Sequence, residues 1–528
     1  MIEVTRTQLL PGVHLTAVQT QKFKSSVLGM QFLLPLAREQ AALHALLPMV
    51  LRRGTAEHPD MESLSAVLDE LYGGSLEPTV RKKGETQCVG FVGSFLDDAY
   101  TLDGSAVLEP SAALLGELVL RPYTRDGAFC PDYTRQEREN LVTRIRAQVN
   151  DKRQYAQVRV VAEMCAGEPF GVDKLGDEAS AAAITPQKLW DCYQQVLRTA
   201  PIEFYYCGSA PLERVRAAVQ AIVDGLPAGE RVPLARPEKG NAPAQPRRVE
   251  EALDVTQGKL AMGFRTGIDA WDEDYPALML LNAVYGGTTT SKLFLNVRER
   301  LSLCYYASSG LMKYKDVMLV SSGVEFSKVG QAQDEILAQL QACKDDGFTD
   351  DELEWARRSV VSTLMTTLDA QSRLEDYWLG QAAAGLTEVP DELAQRVERT
   401  TRAQVQAAAQ KLTLDTVYFL KGKEWAHGKQ RIPPHWGKDL SRGAAQRPAH
   451  LCGPAARVSE ELRLFATNYG GMDMKFHLDG QWRDTPAGVA HFLEHKMFDT
   501  EDGNALQDLA ANGLPQRLHQ LGPHRLLF

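Results

Sequence analysis

No stretch of the sequence approaches the roughly 18 uninterrupted apolar residues of a membrane-crossing helix, so a helical span is not expected. Met1–Thr20 lacks the basic start and long apolar run of a secretory leader. Paired cysteines are missing as well. The eight cysteines (88, 130, 165, 192, 207, 304, 343 and 452) are scattered, with no C-x-x-C. That argues against a disulfide framework or a cysteine zinc site, and for reduced thiols in a cytoplasm. Nor is there a basic excess: the net charge of −10 argues against a general nucleic-acid binder. What is present is a globular composition over 528 residues, too long for one ordinary core.

The first part alternates β and α patterns. Val13–Val18 and Ser26–Leu34 read as strands. Ala41–Arg52 has helical apolar spacing ended by Arg53-Gly54-Thr55, and Asp60–Tyr72 is a second amphipathic helix stopped by Gly73-Gly74. Gln87–Leu96 reads as a strand, Tyr133–Ala162 as one long helix and Ile202–Cys207 as another strand. The composition then shifts to Pro, Gly, Ala and Arg over 227–250, a linker that splits residues 1–428 into two similar halves. In the second half, strands are expected at Lys259–Arg265, Val317–Glu325 and Thr416–Leu420. Helices are expected at Tyr275–Val284, 327–344 and 350–381. This mixture predicts an α+β layer in each half.

The stretch richest in chemistry lies late, in His491-Phe492-Leu493-Glu494-His495. On a helix, His491 and His495 share a face with Glu494 between them. Two imidazoles one turn apart make half of a tetrahedral zinc site, and a neighbouring carboxylate can take a proton from zinc-bound water. This is the H-x-x-E-H order of the inverzincins. The plain alternative is a solvated helix with two incidental histidines.

With Asp484–Ala490 leading in and Lys496–Leu506 leading out, the motif resembles the insulinase/pitrilysin family of zinc metallopeptidases. The likeness extends over 1–428. It implies a clam shell of two homologous α+β halves, with zinc chemistry in the N-terminal half of catalytic members. It also implies that Arg298 and Tyr305 of the second half contact bound peptide. A guanidinium is a fixed fork of donors for a carbonyl, and a phenol can hydrogen-bond an oxyanion. Without the resemblance, a surface Arg and a core-edge Tyr account for both.

The first half departs from the family where zinc should bind. Placing Arg53-Gly54-Thr55 on the turn after the zinc helix puts Ala45, Pro48 and Met49 at the positions of the two histidines and the glutamate. None can bind zinc or move a proton. His44 is adjacent but has no partner one turn away, and reads as a structural histidine. Residues 1–428 therefore resemble the family's non-catalytic partner subunits, with no cofactor expected there.

After Lys423 the texture changes. Trp425–Glu460 has neither hydrophobic period, Leu464–Phe476 reads as a strand, and order ends again after Asn512-Gly513. Residues 429–463 are a linker or an out-of-frame segment, 464–513 a fragment of a catalytic N-terminal domain, and 514–528 an out-of-frame tail. Synonymous codons for Leu514–Arg525, read one base later, spell a segment like the one the family places after its zinc helix. The family's third zinc ligand, a glutamate further downstream, has no counterpart before Phe528, so the zinc site on His491 and His495 is incomplete.

The expectation is a non-catalytic subunit that pairs with a zinc-bearing relative as a heterodimer and helps enclose peptide. The alternative is a zinc metalloendopeptidase using His491, Glu494 and His495. A third possibility is a chaperone-like peptide holder with no peptidase partner.

Overall fold

The computed structural model describes residues 2–423. Beyond them it describes only the short strands Ala466–Thr467, Lys475–Leu478, Gln481–Asp484, Asp499–Thr500, Gly503–Asn504, His519–Gln520 and Leu526–Leu527. His491, Glu494 and His495 lie outside the described residues, as do most of the segments expected to be out of frame.

The first half is a six-stranded sheet in the order Glu3–Leu10, Val13–Gln19, Ile202–Gly208, Ser25–Pro35, Thr86–Leu96, Ser75–Lys83. Val13–Gln19 pairs parallel to the last strand, Ile202–Gly208, and all other neighbours are antiparallel. The second half repeats this pattern without the leading strand: Arg247–Leu253, Thr413–Gly422, Gly258–Arg265, Val317–Val324, Cys304–Met312. Again the half's first strand runs parallel to its last, and the rest are antiparallel. The α+β expectation is met.

Central strands here are buried on both faces and read as continuous apolar runs rather than alternations. Ser26 to Leu34 are buried without interruption. One face of the first sheet packs Leu28, Met30 and Phe204 against Leu46 and Leu47 of the helix Ala41–Leu51. One face of the second packs Leu260, Met262 and Val320 against Leu280 and Leu281 of the helix Tyr275–Asn282.

The opposite faces are covered by exchanged helices. Lys152–Met164, from the first half, lays Ala156, Val160 and Met164 on Ala261, Leu319 and Tyr418 of the second sheet. Gln371–Ala384, from the second half, lays Leu374 and Trp378 on Val18, Val27 and Tyr205 of the first.

Both exchanged helices correct the sequence reading. The helix expected over Tyr133–Ala162 is two, Pro131–Ala147 and Lys152–Met164, separated by Asp151 at φ −86°, ψ 91°. Asp151 accepts the Gln154 N–H at 2.9 Å and so starts a new helix in a new direction. The helix expected over 350–381 breaks likewise into Asp350–Met365 and Gln371–Ala384, with Ala370 extended between them. The helix expected over Tyr275–Val284 ends at Asn282 and passes into a wider turn over Ala283–Gly287.

The stretch expected as linker is irregular only as far as the start of the strand Arg247–Leu253. It is also tied to both halves. Arg231 donates to the Ala200 carbonyl at 2.9 Å, and Arg236 pairs with Asp269 at 3.0 Å.

Candidate functional site

The helix Ala41–Leu51 is mostly buried, Ala45 fully so. Pro48 sits inside it, without an N–H to donate and without an acid function. Met49 meets Arg144 of the neighbouring helix Pro131–Ala147, whose Nη1 is 3.6 Å from its sulfur. A thioether facing a guanidinium is no place for a dication, and the residues present do not fit zinc. Among the described residues, no group of three or more His, Cys, Asp or Glu could hold a metal ion.

His44 is a structural histidine. It is buried with Nδ1 3.0 Å from Gln87 Oε1, and burial pushes its pKa down to about 4, with the Gln87 hydrogen bond opposing. Gln87 in turn donates to the carbonyls of Ala41 (2.9 Å) and Lys174 (2.6 Å).

Lys174 borders a chamber of about 1280 Å³ between the two halves. The first half supplies the hairpin tip Lys82-Lys83-Gly84 and Gln154, Gln157 and Val161 of the exchanged helix. The second supplies Gly286–Thr290, Lys313, Tyr314 and a run of hydroxyls at helical spacing, Ser359, Ser362, Thr363 and Thr366. Gly84 turns the hairpin at φ +60°, the left-handed conformation that glycine adopts without steric cost. A Cβ there would lie 2.6 Å from the Tyr314 carbonyl oxygen, so glycine also allows the two halves to touch.

A buried charge network joins the halves behind the chamber. Lys315 Nζ lies 2.7 Å from Glu168 Oε2, 2.8 Å from Glu85 Oε1 and 2.5 Å from the Glu238 carbonyl. Glu168 also pairs with Arg265, whose Nε donates to Asp415 at 3.1 Å. Burial pushes Glu168 upward, but Arg265 and Lys315 outweigh it and hold the carboxyl below its ordinary value. Asp316, 3.8 Å from Arg265 Nη1, is instead raised by burial.

The two residues expected to meet peptide are placed differently from each other. Arg298 lies in the turn Leu293–Arg300 with its guanidinium 4.6 Å from the Phe294 ring centre and 3.6 Å from Glu299. Tyr305 is 58% exposed, where the strand Cys304–Met312 shifts register. Phe294 lines the chamber; Arg298 and Tyr305 are not among its lining residues. Sequence reasoning missed Lys82, Lys83 and Lys313, which come together only through the packing of the two halves. The one local signal was the Lys83-Gly84-Glu85 turn.

Two similar α+β halves with a chamber between them fit the expected insulinase-type architecture, and the comparisons with known proteins agree. The chain belongs to the insulinase, or peptidase M16, family. The family description "Peptidase M16 inactive domain" matches residues 183–360. The chain is 36% identical over 418 residues to the "Probable inactive metalloprotease YmfF" of Bacillus subtilis (strain 168), spanning 79% of this chain and 97% of that protein. A crystal structure of a conserved protein from Enterococcus faecalis V583 superposes with a TM-score of 0.73 at 26% identity, covering 80% of this chain and 99% of that one. A shorter match, 37% identical over 62 residues, covers 11% of this chain and 14% of the "Uncharacterized zinc protease YmfH" of Bacillus subtilis (strain 168). Among the described residues, no helix is long and apolar enough to cross a membrane.

Proposed function

We propose that residues 1–428 act as a non-catalytic insulinase-family subunit that pairs with a zinc-bearing relative and helps enclose a peptide. The helix Ala41–Leu51 carries this reading: Ala45, Pro48 and Met49 stand where the family's catalytic members hold zinc, and Arg144 faces Met49. Likeness to a protein named as an inactive metalloprotease supports it. Enclosure is supported by the chamber, whose volume exceeds the roughly 300–1,000 Å³ of a small-molecule pocket. Arg298, stacked on the chamber-lining Phe294, and Tyr305 lie outside the lining and meet only a part of the peptide that extends past the chamber wall. The buried free cysteines of the described residues fit a reducing cytoplasm.

The H-x-x-E-H motif supports reading 464–513 as a fragment of a catalytic N-terminal domain, with His491 and His495 as ligands and Glu494 as the base. It also favours the second reading, a zinc metalloendopeptidase whose third ligand comes from elsewhere.

Co-expression with a zinc-bearing relative, followed by size-exclusion chromatography and a peptide-hydrolysis assay, tests the pairing. The two chains should co-elute, and the relative should cleave peptide faster with this chain than alone. Separate elution with an unchanged rate refutes it.

A further inference from the structure

The chain carries a net charge of −10, yet its chamber is lined by Lys82, Lys83, Lys174, Lys313 and Arg373 against only Asp173 and Asp376. Several of these charges are already engaged. Lys82 donates to the Phe170 and Val172 carbonyls, and Lys83 pairs with Asp376 at 2.6 Å. Asp173 accepts the Leu175 N–H at 2.8 Å, and Arg373 reaches Thr366 Oγ1 at 3.3 Å.

Lys313 differs from these. It is half-buried in the chamber wall between two tyrosines, its Nζ 4.6 Å from the Tyr377 ring centre and 5.2 Å from that of Tyr314. Among the described residues it has neither a hydrogen-bond acceptor nor a carboxylate within ion-pairing distance. The rings offer some cation–π attraction, and the ammonium still reaches the solvent of the chamber, where no fixed acceptor takes its protons. Burial lowers its pKa to about 8, with Glu388 opposing. Fixed acceptors for this lysine are lacking, while hydroxyls from Ser359, Ser362 and Thr363 line the same space.

We propose that the chamber selects acidic peptide segments, with a ligand carboxylate completing Lys313. The carboxylate can be a Glu or Asp side chain or the peptide's own C-terminus. The inference rests on the peptide-enclosing reading and adds to it the chemical class of the peptide.

The test uses the full chain and fluorescence anisotropy with labelled decapeptides. One contains several glutamates, one carries glutamines in their place, one carries lysines, and each is made with a free and an amidated C-terminus. The glutamate peptide should bind at least about tenfold more tightly than the glutamine peptide, as expected for one charge-assisted hydrogen bond. The lysine peptide should bind weakest. If the preference follows the free C-terminus instead of the side chains, the terminal carboxylate is the group bound, and the inference stands. Lys313→Met should abolish the preference, whereas Lys313→Arg, which keeps the charge, should retain most of it. Equal binding of all peptides overturns the inference while leaving peptide enclosure intact. No binding of any peptide overturns both, and a preference unchanged in Lys313→Met removes Lys313 from the account.

Discussion

Replacing Lys315 with Met should cost about 3 kcal/mol of stability, because its ammonium is the shared counter-ion of two carboxylates from the other half. The side chain is 2% exposed and holds Glu85 at 2.8 Å and Glu168 at 2.7 Å. Removing one partner from a buried ion pair typically costs about 3–5 kcal/mol, since the remaining charge is stranded. The low end applies here: Glu168 keeps Arg265, and Glu85 reaches water at one edge. Lys411→Met, which breaks an exposed pair with Asp274, is the matched control and should lose less than about 1 kcal/mol.

Equilibrium urea unfolding followed by tryptophan fluorescence measures both. Adding Glu85→Gln to Lys315→Met should recover part of the loss by removing the stranded charge. The pH dependence has a definite sign. Glu168 is held below its ordinary carboxylate value, so its contribution is present above that value and fades as the pH falls through the folded one. The gap between wild type and Lys315→Met should therefore narrow in acid. A loss for Lys315→Met no larger than for Lys411→Met would refute the reasoning.

His44 should make the fold acid-sensitive. Its folded pKa is about 4 against an ordinary 6.5, so between those values the unfolded chain binds a proton that the folded chain does not. Stability should fall by up to about 3 kcal/mol over that range, and urea titrations of His44→Gln should lack that part of the slope. Asp151→Ala should cost about 1 kcal/mol through loss of the cap on Lys152–Met164, read as a lower urea midpoint. Tyr305→Ala should leave stability within about 0.5 kcal/mol, because the ring is exposed. Its proposed ligand role predicts weaker peptide binding by anisotropy.

Much of the fold was legible because it rests on local patterns. The apolar run Ser26–Leu34 is a buried central strand, and Arg53-Gly54-Thr55 follows the end of the helix Ala41–Leu51. The two long helices were misread because a polar face continues across each break. Asp151 is an ordinary capping residue whose signal was outweighed by that periodicity, and Ala370 carries no side-chain cap at all. The expectation that Ala45, Pro48 and Met49 replace the zinc ligands came from side-chain chemistry alone, since Ala, Pro and Met exclude ligation without any structure. The chamber was not. Lys82 and Lys313 are far apart in sequence, and only the reciprocal helix exchange brings their segments to one cavity.

The most direct test of the central claim is hydrolysis of a quenched fluorogenic peptide by the purified full chain alone, with and without a zinc chelator. A non-catalytic subunit predicts no chelator-sensitive cleavage, and no change on replacing Glu494 with Gln. Chelator-sensitive cleavage that disappears in Glu494→Gln would contradict the account and establish the chain as a peptidase in its own right.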